Sequence, residues 1–128
     1  MQIDANVLID FLKGCPQAVR FFKVNEGNLS ISDMAFMEVI SGARNKREMQ
    51  HFTKLPSILN LKILHIEKEI SKKAFEIYKQ YYLSTKLGIY DSFIAACAIE
   101  KNDMLFTLNS KHFVKIVELE SRPPYEYK

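Results

Sequence analysis

Glycine, cysteine and histidine are scarce in this chain, and each scarcity removes a class of chemistry. The four glycines, at 14, 27, 42 and 88, are scattered, so no glycine-rich loop is available to cradle a nucleotide phosphate. No Gly-x-Ser-x-Gly occurs, which excludes a nucleophile elbow. The two cysteines, Cys15 and Cys97, have no metal-ligand spacing and form no disulfide framework. A reducing cytoplasm is therefore the expected compartment. His51 and His65 have no His or Cys at ligand spacing, which argues against zinc. No apolar run approaches a membrane span, and Met1-Gln2-Ile3-Asp4 does not read as a signal peptide. No repeat, low-complexity tract or linker divides the sequence, so a single domain over residues 1–128 is expected.

What is present is an ordinary globular composition. Of 128 residues, 48% are hydrophobic and 26% charged, enough for a genuine core. A net charge of +3 permits a polyanionic partner without demanding one. The most distinctive stretch is Tyr90-Asp91-Ser92-Phe93-Ile94-Ala95-Ala96-Cys97-Ala98-Ile99. One aspartate and one serine lead an apolar run rich in alanine, the pattern of a helix covered all round against a sheet. Asp91 there caps the first turn or stands at the mouth of a buried scaffold.

Periodicity and punctuation predict alternating strands and helices. A short strand over residues 1–3 ends at Asp4, and Asn6 caps a helix over 7–12 that stops at Gly14. Pro16 opens a second helix ending near 25–27. A strand at 28–32 leads to a helix capped by Ser32 or Asp33, and another helix covers 45–55 and ends at Pro56. A strand at 61–66 precedes a long helix over 67–85, with Gly88 marking its end. The Asp91 helix follows, then a strand at 104–107, a turn or short helix at 109–113, and a last strand at 116–119. The tail from 121 to 128 is expected to leave the core. Such alternation implies an α/β fold, a parallel sheet covered on both faces, with polar groups at the carboxyl ends of the strands lining a crevice.

Three acids differ from the rest. Asp10, Glu48, Glu67, Glu69, Glu76 and Glu100 have polar or basic neighbours and suit a solvated face. Asp4, Glu38 and Asp91 each stand among apolar residues. An unpaired buried carboxylate costs several kcal/mol, on the order of its desolvation. No Lys or Arg near in sequence offers a partner to Asp4 or Asp91. One hard divalent cation would satisfy all three, and Mg²⁺ and Mn²⁺ prefer such oxygen ligands. Asn109 follows the fourth expected strand and can face the same end of the sheet.

These residues carry a resemblance. Asp4-Ala5-Asn6-Val7-Leu8-Ile9 resembles the opening motif of PIN domains. Glu38-Val39-Ile40-Ser41-Gly42-Ala43-Arg44, Asp91-Ser92-Phe93-Ile94-Ala95-Ala96 and Thr107-Leu108-Asn109-Ser110-Lys111-His112-Phe113 resemble the second, third and fourth motifs of VapC-type toxins, in the family's order. The resemblance implies a PIN-like three-layer α/β/α fold with about five parallel strands, and a Mg²⁺- or Mn²⁺-dependent ribonuclease. It also implies an antitoxin partner and frequent homodimerisation. Carried over residue by residue, it makes Asp4, Glu38 and Asp91 the metal-holding acids, with Asn109 at the fourth catalytic position. Asn109 is neutral, which favours contact through water over a tightly held second metal. Ala5 stands where the family often has Thr or Ser, so that contact to the metal region is missing.

The expected reaction is hydrolysis of an RNA phosphodiester, the metal lowering the pKa of the attacking water. Lys13, Arg44, Lys46 and Lys111 are candidates to guide the RNA backbone. Tyr81-Tyr82, Tyr125 and Tyr127 suit either base stacking or packing. Large apolar residues on the second to fourth helices, Phe21, Phe22, Phe36, Met37, Met49 and Phe52, fill a generous core or form a groove for a partner helix. The alternative to a toxin is a catalytically weak PIN-like module that binds RNA or protein. A small-molecule phosphohydrolase is a further alternative that lacks a phosphate-cradling loop.

Overall fold

The computed structural model describes residues 1–126. Five short strands form one sheet: β1 Gln2–Ile3, β2 Ser30–Ser32, β3 Lys62–Leu64, β4 Leu105–Phe106 and β5 Ser121–Arg122. Their order is β3-β2-β1-β4-β5, and every pairing is parallel. Parallel neighbours require crossovers. Among the described residues these are supplied by seven helices: α1 Ala5–Leu12, α2 Pro16–Val24, α3 Asp33–Ile40, α4 Lys46–Ile58, α5 Lys68–Thr85, α6 Ile89–Glu100 and α7 Ser110–Phe113. This is the three-layer α/β arrangement expected from the alternation of patterns.

The order of strands fixes where a site can form. From β1 the chain builds outward through β2 to β3, then returns to the other side of β1 for β4 and β5. The carboxyl ends of β1 and β4 therefore flank the point where the direction of winding reverses, and helices depart from it on opposite sides. Asp4 follows β1 and Thr107 follows β4 at this edge. The core beneath is apolar and fully enclosed, with Val7, Leu8, Ile31, Ile94, Leu105 and Phe113 among its buried members. In α6, Ser92 and the run from Ile94 to Ala98 are all buried, as an alanine-rich central helix requires.

Several elements differ from expectation. α1 begins one residue after Asp4, whose carboxylate caps it by accepting from the Ala5 N–H, so Asn6 lies inside the helix. Asp and Asn are equivalent as cap types, and only the strand end at Ile3 selects between them. α4 runs through Pro56 to Ile58. The proline is buried beside Leu55, which offsets its missing N–H. α5 ends on Lys86 in the left-handed region (φ 59°), and Gly88 is instead the residue before α6. Asp91 is thus the third residue of α6 and does not cap it.

The last strand is Ser121–Arg122, and residues 116–119 are not a strand. Phe113 and Ile116 are buried and Leu119 half-buried, a period of three. Successive turns, Ile116 N–H to Phe113 O at 3.0 Å and Leu119 N–H to Ile116 O at 3.1 Å, produce it. The tail does not leave the core either. Tyr125 meets Phe21 edge to face at 6.2 Å between ring centroids, and its hydroxyl donates to Asp10 Oδ2 at 2.7 Å. Tyr127 lies outside the described residues. Phe21, Phe22 and Phe36 are buried, so they belong to the core and not to a docking groove.

Candidate active site

Asp4 is held by its own chain and by β4. It is 4% exposed. Oδ1 accepts from the Ala5 N–H at 2.7 Å, while Oδ2 accepts from the Thr107 hydroxyl at 2.8 Å and the Asn6 amide at 3.4 Å. Burial raises the Asp4 pKa, the two short hydrogen bonds pull it down, Asp91 raises it and His112 lowers it. The Thr107 hydroxyl spends its one proton on Asp4 and accepts from Asn6 Nδ2 at 3.4 Å and from the Asn109 N–H at 3.0 Å. That uses its hydrogen-bonding capacity in full. Asn6 Oδ1 accepts from the Leu108 N–H at 3.2 Å, tying α1 to the segment after β4.

Asp91, in the first turn of α6, is half-buried, and burial raises its pKa. His112 of α7 meets it, Nδ1 to Oδ2 at 3.5 Å, and lowers that pKa. Glu38 projects from the last half of α3. Its pKa is pushed from 4.5 up to about 7, first by burial, then by the charges of Asp4 and Asp91. Glu38 Oε1 is buried and has no hydrogen-bond partner. The three acids therefore feel one another's charge, although 34 and 53 residues separate them in sequence (38 − 4 and 91 − 38).

Asn109 takes a different place. It is exposed, precedes α7, and its side chain makes no capping bond; its backbone N–H is what reaches Thr107. Of the four expected site residues, the structure gathers Asp4, Glu38 and Asp91 electrostatically and leaves Asn109 at the exposed turn beside them. Thr107, Asn6 and His112 complete the arrangement, and no sequence argument gave them these partners. Thr107 and His112 do fall within the fourth motif stretch, which is the only signal that pointed to them.

The donor set suits a hard divalent cation. It consists of carboxylate oxygens, one of them buried and orphaned, and no Lys or Arg ion-pairs with the three acids among the described residues. Among those residues no three acidic, His or Cys side chains stand as a ready-made metal cluster. Beside Glu38, a groove of ≈ 720 Å³ between α1, α3 and α4 is lined by Ile9, Leu12, Val39, Phe52, Lys13 and Arg44. Arg44 is already engaged with Glu48, Nη2 to Oε2 at 2.7 Å and Nε to Oε1 at 3.2 Å.

Residues 1–119 match the PIN domain family. The chain belongs to the PIN-domain family. Ribonuclease VapC10 of Mycobacterium tuberculosis is 30% identical to this PIN domain over 127 residues, covering 96% of this chain and 91% of that protein. A chain of a toxin–antitoxin complex from Klebsiella pneumoniae is 28% identical and superposes with a TM-score of 0.79, covering 98% of both chains. A chain of DNA-bound VapBC from Salmonella typhimurium is 19% identical with a TM-score of 0.80, covering 97% of both, and shares the fold. No helix of this PIN domain among the described residues is long and apolar enough to cross a membrane.

Proposed function

We propose that residues 1–128 form a single PIN domain that acts as a metal-dependent endoribonuclease, the toxin of a VapBC-type pair, working in the cytoplasm and hydrolysing RNA phosphodiester bonds. The observation that carries this reading is the mutual electrostatic influence of Asp4, Glu38 and Asp91, all with raised pKa values and one with an orphaned buried oxygen, Asp4 standing at the carboxyl end of β1. The 30% identity to a named ribonuclease over 96% of the chain supports the substrate class. Asp4, Glu38 and Asp91 would hold Mg²⁺ or Mn²⁺, and Asn109 would act at the rim through water. When bound, the ion lowers the pKa of water and offsets charge on the phosphate. Thr107 and the Ala5 N–H keep Asp4 oriented, and the buried floor of α6 excludes water from beneath.

Lys13, Lys46 and Lys111 are left to guide the RNA backbone, with Arg44 committed to Glu48. The antitoxin would lay an apolar helix face into the groove of Ile9, Leu12, Val39 and Phe52, beside exposed Met37 and Met49. An Arg from the same partner would reach the carboxylates. One observation favours the alternative, a catalytically weak binding module: the three carboxylates do not stand as a ready-made metal cluster. Cleavage of RNA decides between them. The toxin cuts with Mg²⁺ or Mn²⁺ and stops with EDTA, and folded Asp91→Asn protein is inactive. RNA binding without cleavage, or near-normal cleavage by Asp91→Asn, would sink the nuclease reading.

A further inference from the structure

The two inner carboxylates are gripped by one stretch of chain. Thr107, just past β4, donates to Asp4, and His112, in α7, meets Asp91. Asp4 has three donors. Asp91 has one side-chain partner among the described residues, His112, and Glu38 Oε1 has none. The position of His112 is set by its neighbours. Phe113 is fully buried, its side chain pinning α7 to the core, and the His112 N–H closes a turn onto Asn109 O at 2.9 Å. The imidazole is therefore presented from an anchored helix, although the ring itself is largely exposed. Nδ1 is the ring nitrogen that faces the Asp91 carboxylate, at 3.5 Å from Oδ2. Its influence reaches Asp4 as well, whose pKa it lowers.

We propose that His112 is a positioning residue of the carboxylate site: its Nδ1–H fixes the rotation of the Asp91 carboxylate, and so the oxygen that Asp91 offers to a divalent cation. This assigns to α7 a role distinct from that of Asn109, whose backbone N–H bonds to the Thr107 hydroxyl and whose side chain makes no capping bond. The inference rests on the carboxylate-site reading. Partners that orient ligating carboxylates are worth about ten- to a hundred-fold in metal affinity or activity.

The test uses Mn²⁺ alone, titrated calorimetrically into the full chain, with RNA cleavage measured in parallel. The variants are His112→Ala, His112→Asn and His112→Gln. An Asn amide N–H falls near the place of Nδ1, and a Gln amide reaches toward that of Nε2 instead. Expected are Mn²⁺ affinities about ten-fold or more weaker for the Ala and Gln variants, with affinity near the parent's for Asn. Cleavage by the Ala variant should recover at saturating Mn²⁺, with KM for RNA unchanged. Thermal melts check that each variant is folded; if Ala lowers the melting point, the Asn–Gln contrast decides. Equal Mn²⁺ affinity in parent, Asn and Gln variants overturns the role of His112 while leaving the carboxylate site standing. A parent that binds no Mn²⁺ overturns that site and this inference with it.

Discussion

Glu38 sits between solvent and two more deeply placed carboxylates, and its proton responds to both. In an unfolded chain it titrates near 4.5, whereas in the fold it is held up to about 7. Between those values the folded protein binds more protons than the unfolded one, so this group lowers stability as pH rises from about 4.5 to 7. Asp4 and Asp91 are raised as well and act in the same direction. In EDTA, the melting temperature should fall across that window, and Glu38→Gln should flatten the slope. Metal reverses the preference because it requires the carboxylate form, so Mn²⁺ affinity should climb as pH passes 7. A parent-like slope in Glu38→Gln would place the proton elsewhere. Asn109 gives a second test at this scale. Asn109→Asp adds a charge at the exposed turn and should tighten Mn²⁺ binding in a calorimetric titration. Unchanged affinity and stoichiometry would put residue 109 beyond the coordination shells. Asp4, Glu38 and Asp91 could be singled out in the sequence because each stands among apolar residues. Their partners could not be: Thr107 lies 103 residues from Asp4, and no pattern along the chain announces a bond of that span.

Among the elements, α7 links the carboxylates to the core. Its four residues carry His112 on one side and Phe113 on the other, the latter buried in the main core. Phe113→Ala should cost about 3–5 kcal/mol of unfolding free energy in urea, the usual range for an emptied aromatic site. A loss much below that would mean α7 is not anchored through this ring. The elements also show where pattern reading stops. The long helices were legible because apolar residues recur along one face. Element ends were less so. α5 closes on a left-handed lysine where a glycine two residues later was the stronger signal, and α4 carries a proline through its last turn. Residues 113–119 carry apolar side chains three apart, and a strand needs them two apart; the short run at 116–119 was too brief to tell the two periods apart. The true β5, Ser121–Arg122, has no apolar side chain at all and is held by backbone bonds, Leu105 N–H to Glu120 O at 2.9 Å and Thr107 N–H to Arg122 O at 3.0 Å.

Over the whole molecule, Glu38, which feels the charges of Asp4 and Asp91, also lines the groove of Ile9, Leu12, Val39 and Phe52. One partner can therefore cover the carboxylates and the groove at once. Co-expression with the neighbouring small open reading frame should yield a complex on pull-down in which RNA cleavage is suppressed. If no small protein co-purifies, or if one binds without lowering cleavage, the inhibitory partner is wrong even where the nuclease stands. Phe36, expected to line that groove, is core.

The bond from Thr107 to Asp4, and the contact from His112 to Asp91, also bear on timing. β1 is made before its neighbour β4, and both of these partners follow all three acids in the chain. A growing polypeptide still tethered to its ribosome, with β4 and α7 inside the exit tunnel, holds all three acids yet lacks Thr107 and His112. Such a nascent chain, synthesised amid the cell's own messages and transfer RNAs, should be inert until Thr107 and His112 have emerged and docked.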